Sequence, residues 1–188
     1  MNKAIFLDRD GTINVEKHYL YKKEDFEFLP GVIDALKKLQ QAGYMLIIVT
    51  NQSGIARGYY TEGECHSLND WMLSQLKKQG VIIAQIYYCP HLPNAEVEAY
   101  RKDCNCRKPK LGLFKQAIND YHIQLSKSYA IGDKIRDCAI CEHTVCRGYL
   151  VGNNEDEIII KKVKEGMYER VEYANSLMDA TDQILEKR

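Results

Sequence analysis

Ala4-Ile5-Phe6-Leu7-Asp8-Arg9-Asp10-Gly11-Thr12 is an apolar run that breaks into two carboxylates one residue apart, followed by a glycine. Four apolar residues in succession read as a strand buried on both faces, and the break reads as a turn at its carboxyl end. Two acidic side chains aimed into one pocket repel each other, so a fold that keeps them together calls for a cation or a phosphate. Magnesium, which prefers carboxylate oxygens, meets that demand. Gly11-Thr12 lets the backbone turn sharply and exposes amide N–H groups as a small anion cradle. An Asp-x-Asp taken alone is more often a solvated acidic turn, so the rest of the chain decides between the two readings.

Strand-like and helical stretches alternate from there on. A helix from about Gly31 buries Val32, Leu36 and Leu39 at helical spacing and ends at Gly43. Residues 44–49 form a second continuous apolar run, which stops at Thr50-Asn51-Gln52-Ser53-Gly54. Thr61 with Glu64 reads as a capping box opening a helix that buries Cys65, Leu68, Met72 and Leu76. Residues 82–88 are strand-like, 111–121 helical, and 129–131 a short strand ending at Gly132-Asp133. The last third reads as a strand at 148–151, an edge strand at 171–173 and a closing helix at 176–187. This order specifies an α/β fold with a doubly wound, mainly parallel sheet, one domain over residues 1–188, and ligands bound beyond the carboxyl ends of the strands. Asp8, Thr50 and Asp133 all fall at such ends.

The 188 residues carry 26 basic and 26 acidic side chains, a balance that argues against a nucleic-acid or membrane-surface binder. No apolar run approaches the ~20 residues of a membrane span. Only Met1-Asn2-Lys3 precede the first strand, so a cytoplasmic location is expected, with a monomer as the default state. Seven cysteines without an export signal point to thiols or metal ligands rather than disulfides. Cys89-Pro90-His91 and Cys104-Asn105-Cys106 form two close ligand pairs separated by twelve residues. Three thiolates and an imidazole suit tetrahedral zinc with no open position, hence a structural metal. It would staple the loop 89–106 that leads into Arg107 and Lys108. Cys65, Cys138, Cys141 and Cys146 are expected as small core residues.

The chemistry open to these residues together is phosphoryl transfer through a covalent aspartyl-phosphate. Asp8 would be the nucleophile, and Asp10 would protonate the leaving oxygen and then take a proton from water. Asp8, Asp133 and a backbone carbonyl at Asp10 would hold magnesium, with Asp137 supporting it through water. Thr50 and Lys108 would clamp the equatorial phosphoryl oxygens.

Phe6-Leu7-Asp8-Arg9-Asp10-Gly11-Thr12-Ile13-Asn14, Val49-Thr50-Asn51-Gln52-Ser53-Gly54-Ile55-Ala56-Arg57-Gly58, Cys104-Asn105-Cys106-Arg107-Lys108-Pro109 and Ile131-Gly132-Asp133-Lys134 resemble the motifs of the haloacid dehalogenase superfamily. Within it they resemble the branch of heptose bisphosphate phosphatases. The resemblance runs in order from about Lys3 to Asp137. It implies a Rossmann-like fold and a magnesium-dependent phosphatase acting on a small-molecule sugar bisphosphate, and with no long insertion in the chain no separate cap domain is expected. The pathway it implies is nucleotide-activated heptose synthesis for bacterial surface polysaccharide. By position, Arg107 matches a substrate-recognising arginine and Lys134 a cation lining the pocket. Arg9, His18, Tyr19, Asn51, Gln52 and Ser53 fall where family members contact substrate, Arg57 offers a cation to a second phosphate, and the branch carries a zinc site of the kind described. Histidinol-phosphate phosphatases share the Cys-Pro-His-Leu-Pro and Cys-x-Cys-Arg-Lys-Pro-Lys features and remain the nearest alternative. A catalytically silent sugar-phosphate binder is the alternative of another class, and loss of Asp8 or Asp10 would be its signature. Around residues 138–148 the resemblance is loose, which leaves the packing of the final strand open.

Overall fold

The computed structural model describes residues 1–187; Arg188, the last residue of the expected domain, lies outside them. Six strands form one sheet: β1 (Ala4–Leu7), β2 (Met45–Asn51), β3 (Ile83–Cys89), β4 (Tyr129–Gly132), β5 (Arg147–Val151) and β6 (Val171–Ala174). Their order is β3-β2-β1-β4-β5-β6, and every pairing is parallel. The chain therefore winds outward from β1 to β3, returns to lay β4 against the free side of β1, and winds outward again. The seam between β1 and β4 is the point where the winding reverses, and the crevice beyond it is where such sheets bind ligands. Leu7 pairs with Ile131, and the Asp8 N–H donates to the Ile131 carbonyl at 3.0 Å. Asp8 and Asp133 thus leave neighbouring strand ends side by side.

Among the described residues six α-helices cover the sheet: α1 (Val32–Gln41), α2 (Glu62–Lys78), α3 (Gly112–Tyr121), α4 (Ala139–His143), α5 (Glu157–Lys164) and α6 (Leu177–Glu186). Strand side chains alternate between two cores, which is why β1 needs apolar residues at every position. Ile5 and Leu7 join the core that takes Leu36 and Leu39 of α1, Met72 and Leu76 of α2 and Ile184 of α6. Ala4 and Phe6 join the opposite core with Phe114 and Ala117 of α3, Ile140 of α4 and Val163 of α5. The Phe6 and Phe114 rings meet edge to face at 5.4 Å. The Thr61 capping box is present: Thr61 Oγ1 accepts from the Glu64 N–H at 3.2 Å and the Thr61 N–H donates to the Glu64 carboxylate at 2.8 Å.

Two helices go beyond what the sequence predicts. In α5 Ile159, Ile160 and Val163 pack toward the core while Ile158 is 65% exposed, so three isoleucines in a row blur the helical period in the sequence. Helix α4 is five residues long, too short for a period to register. The uncertain packing around residues 138–148 resolves through sulfur. A Cβ on Gly148 would stand 2.8 Å from Cys141 Sγ and 3.0 Å from Cys138 Sγ, so glycine in β5 makes room for two thiols that fill the space above it.

Gly132 closes β4 where a Cβ would lie 2.2 Å from Asp137 Cβ. Because the obstacle is rooted in the backbone, no rotamer relieves it. Gly132→Ala is expected to lower unfolding free energy by about 1–3 kcal/mol, read as a shifted urea midpoint with unchanged slope.

Candidate active site

Lys108 organises the crevice. Its ammonium, 2% exposed as a residue, stands 2.9 Å from Asp8 Oδ1 and 2.7 Å from Asp137 Oδ1, and donates to the Val49 carbonyl at 2.5 Å. Burial works against its charge, but Asp137 and Asp8 outweigh that and hold its pKa above the usual lysine value. The backbone around it is pinned by Asn51, whose Oδ1 accepts from the Lys108 N–H at 3.0 Å and whose Nδ2 donates to the Lys108 carbonyl at 3.1 Å.

Carboxylate oxygens of Asp8, Asp133 and Asp137 lie within 4.8 Å of one another. Burial pushes Asp8 up to about 6, with Lys108 pulling the other way, and pushes Asp133 up to about 8, helped by Asp8 and Asp137. Three buried acids facing one lysine leave uncompensated negative charge, and an oxygen-only donor set of this kind fits a hard divalent cation. Asp137 has Oδ1 on Lys108 and Oδ2 accepting from the Lys134 N–H at 3.0 Å, so Asp8 and Asp133 are the carboxylates left for direct ligation. The Asp10 side chain is turned elsewhere. It accepts from Arg9 at 2.9 Å, Asn14 at 3.0 Å and Gln52 at 2.9 Å, which leaves only its main-chain carbonyl for a metal. Burial works to raise its pKa, yet Arg9, Asn14 and Gln52 prevail and hold it below the ordinary carboxylate value.

Two cavities adjoin here. The smaller, about 60 Å³, is bounded by Asp8, Lys108, Asp133, Lys134 and Asp137. The larger, about 300 Å³, opens beyond Asp10 between Ser53, Arg57, Arg107 and Arg136, with His18 and Tyr19 at its rim. Asp10, Glu16, Asn51 and Arg136 border both. Arg57 Nε is buried without a hydrogen-bond partner among the described residues. Burial lowers the Arg107 pKa, and the neighbouring Arg136 and Arg57 charges lower it further. His18 and Tyr19 hold successive left-handed conformations, φ 50° and 63°, where the His18 N–H donates to Glu16 Oε1 at 2.7 Å. The Tyr19 ring meets Tyr59 at 4.7 Å and lies under the Arg57 guanidinium.

Several sequence-predicted site residues sit differently from their expected use. Arg9 is not in either cavity: it is 1% exposed beneath the floor, donating to Asp10, to Asn69 Oδ1 at 2.9 Å and to Gln52 Oε1 at 3.1 Å. Gln52 reaches the larger cavity but is 2% exposed, and its amide is spent on Thr50 Oγ1, Asp10, Arg9 and the Tyr60 hydroxyl. Thr50, the next-to-last residue of β2, is likewise buried, and its Oγ1 accepts from Gln52 Nε2 at 3.1 Å. The Lys134 ammonium donates to the Asn154 carbonyl. Arg136, Glu16 and Asn154 were not among the predicted residues. Arg136 alone had a usable signal, lying between Asp133 and Asp137 in the turn after an apolar strand.

The thiol cluster assembles at the end of β3. Cys106 Sγ lies 3.1 Å from both Cys89 Sγ and Cys104 Sγ, those two are 3.5 Å apart, and His91 Nδ1 is 3.3 Å from Cys106 Sγ and 3.7 Å from Cys89 Sγ. Tetrahedral zinc with bonds of about 2.3 Å to sulfur has ligand edges of about 3.8 Å, so small outward movements seat the ion.

The polynucleotide kinase 3 phosphatase family matches residues 3–144. A D-glycero-beta-D-manno-heptose-1,7-bisphosphate 7-phosphatase of Haemophilus ducreyi is 50% identical over 141 residues, spanning 74% of this chain and 77% of the relative. Its namesake in Escherichia coli K12 is 49% identical over 134 residues, 71% of this chain and 70% of the relative. The crystal structure of D,D-heptose 1,7-bisphosphate phosphatase from B. bronchiseptica, complexed with magnesium and phosphate, superposes with a TM-score of 0.82 at 30% identity, covering 99% of each chain. With the parallel sheet, the strand-end carboxylates and these likenesses together, the chain belongs to the heptose 1,7-bisphosphate 7-phosphatase family of the haloacid dehalogenase superfamily.

Proposed function

We propose that this chain hydrolyses the 7-phosphate of D-glycero-β-D-manno-heptose 1,7-bisphosphate through an aspartyl-phosphate on Asp8, in the supply of nucleotide-activated heptose. The observation that carries the reading is the pair of adjoining cavities: a lysine and carboxylate site fit for chemistry beside a larger one bordered by three guanidinium groups. A bisphosphate offers one anion to each. The β anomer follows the names of the relatives.

In this scheme an Asp8 oxygen attacks phosphorus as the bond to the C7 oxygen breaks, and water later releases phosphate from the acyl linkage. Lys108 orients Asp8 and, with Thr50, holds equatorial oxygens of the transferring group. Asp10 gives its proton to the C7 oxygen and takes one back from the attacking water. In the resting site Arg9, Asn14 and Gln52 favour the ionised form of Asp10, and a phosphate entering beside it raises its pKa toward the protonated form the first step needs. Asp8, Asp133 and the Asp10 carbonyl are the groups that would hold magnesium, with Asp137 behind them. Bound magnesium supplies the positive charge that lets phosphate approach the acids. Arg57, Arg107 and Arg136 take the 1-phosphate. The same three cations disfavour histidinol phosphate, whose amino group would meet like charge there. The zinc cluster fixes the loop 89–106 and with it the position of Arg107 and Lys108.

Phosphate release tests the reading on the heptose bisphosphate, fructose 1,6-bisphosphate and histidinol phosphate in parallel. The heptose ester is expected to lead in kcat/KM by about 100-fold or more. Asp8→Asn is expected to lower kcat by roughly a thousand-fold or more. Equal turnover of all three esters, or an active Asp8→Asn enzyme, would contradict it. Arg57→Gln is expected to raise KM for the bisphosphate by about tenfold while leaving heptose 7-phosphate, which lacks the second anion, close to its wild-type value. Removal of zinc by a strong chelator is expected to lower melting temperature and activity together, both restored by about one equivalent of zinc. Metal analysis showing zinc-free protein with full activity would remove the structural metal.

A further inference from the structure

The turn that carries Asp133 is gripped from outside by the loop following β5. Three consecutive residues of the turn are each held by one of two consecutive residues of the loop. Asn154 Nδ2 donates to Asp133 Oδ2 at 3.2 Å, the Lys134 ammonium donates to the Asn154 carbonyl, and the Ile135 N–H donates to Glu155 Oε2 at 2.7 Å. Gly11 closes the arrangement from the other side. A Cβ there would lie 2.2 Å from Asp133 Oδ2 and 2.9 Å from Asn154 Nδ2, so carboxylate and amide pack as a unit against the backbone that follows Asp10. Asn154 and Glu155 lie outside residues 3–144, the part of the chain that the family matches.

We propose that Asn154 is a positioning residue for the metal-binding carboxylate, with Glu155 anchoring the loop that presents it. The proposal rests on the magnesium reading above. A carboxylate free to rotate must be frozen when it binds a cation, and it also repels the acids beside it. An amide N–H already seated on Oδ2 removes part of the first cost and offsets part of the second. Outer partners of metal ligands commonly change metal affinity by about 10–100-fold. Asn154 is exposed to water on its outer side, which places it near the lower end of that range. The contact also accounts for Lys134: its ammonium serves the loop that orients Asp133.

The test is calorimetric titration of magnesium alone into the wild-type protein, Asn154→Ala and the near-isosteric Asn154→Leu, with the melting temperature of each metal-free protein measured alongside. Both variants are expected to bind magnesium about tenfold more weakly than wild type while melting with it in the absence of metal. Asn154→Gln, which keeps an amide donor, is expected to recover part of the affinity. Unchanged magnesium affinity in both variants overturns the inference. So does a loss of affinity matched by an equal drop in metal-free melting temperature in both, since the loop would then act on the fold rather than on Asp133. A wild-type protein that binds no magnesium overturns the magnesium reading itself, and is distinguished from the other results by the wild-type titration.

Discussion

One buried ammonium holds the carboxyl ends of three strands together. Lys108 reaches Asp8 after β1, the Val49 carbonyl within β2 and Asp137 beyond β4, so a single charge spans the seam where the winding of the sheet reverses. Taking a lysine out of water is costly, and here the cost is met by two carboxylates and a carbonyl at hydrogen-bond distance. The converse holds for the acids. With Asp133 added, three carboxylates share one cation, and burial raises both Asp8 and Asp133. The site is thus charge-deficient by construction, and what completes it is either protons or a divalent ion. A fold that tolerates this imbalance at its own core has its stability and its ligand chemistry tied to the same few atoms.

Lys108 does not come from a strand or a helix, so its position depends on what fixes an irregular loop. The route runs from Cys89, the last residue of β3, through the cysteine and histidine cluster to Cys106, immediately before Arg107 and Lys108. On the far side α3 begins at Gly112, where a Cβ would stand 2.4 Å from the Asn105 carbonyl, so the loop is pressed against the helix that follows it. Asn51 then ties the Lys108 backbone to the end of β2 through two hydrogen bonds. Arg107 and Lys108 point their charges into adjoining cavities from adjacent positions. A loop free to shift by an ångström would misplace both at once, which gives a closed four-ligand cluster beside them a reason to exist.

Much of this was readable from the chain because the signals were local. The run 4–10 announces a two-faced strand and its acidic turn, Thr61 and Glu64 announce a helix start three residues apart, and the two ligand pairs announce a staple. What the chain does not announce has a different cause. Arg9 stands within a motif that meets substrate yet is drawn under the floor, and Gln52 borders the larger cavity but spends its amide on Asp10, Thr50 and Arg9, because Asp10 needs partners and they are close donors. Nothing in a spacing pattern says which polar residue of a loop faces the ligand and which faces its neighbour. Helix α5 is hidden because Ile158, Ile159 and Ile160 run together and blur its period, and Asn154 carries no motif: its partner is 21 residues away, just past the neighbouring strand.

That last distance bears on how the chain is divided. The polynucleotide kinase 3 phosphatase match covers residues 3–144, and read alone it would make the remainder packing only. Packing does assign it that task, since Val151 and Ala174 enter one core and Val163 the other. Yet β5 lies beside β4, and in a parallel sheet adjacent strands finish at the same edge, so whatever follows β5 arrives next to whatever follows β4. Gly132 pairs with Leu150, which puts Asp133 one residue past the register and the loop at 152–156 immediately alongside. The topology that gathers Asp8, Thr50 and Asp133 at one edge therefore also brings the loop after β5 there, whether or not its sequence carries a motif. Positions that support the site without resembling anything are to be sought by strand neighbourhood rather than by pattern, and the segment after β5 is where this fold directs that search.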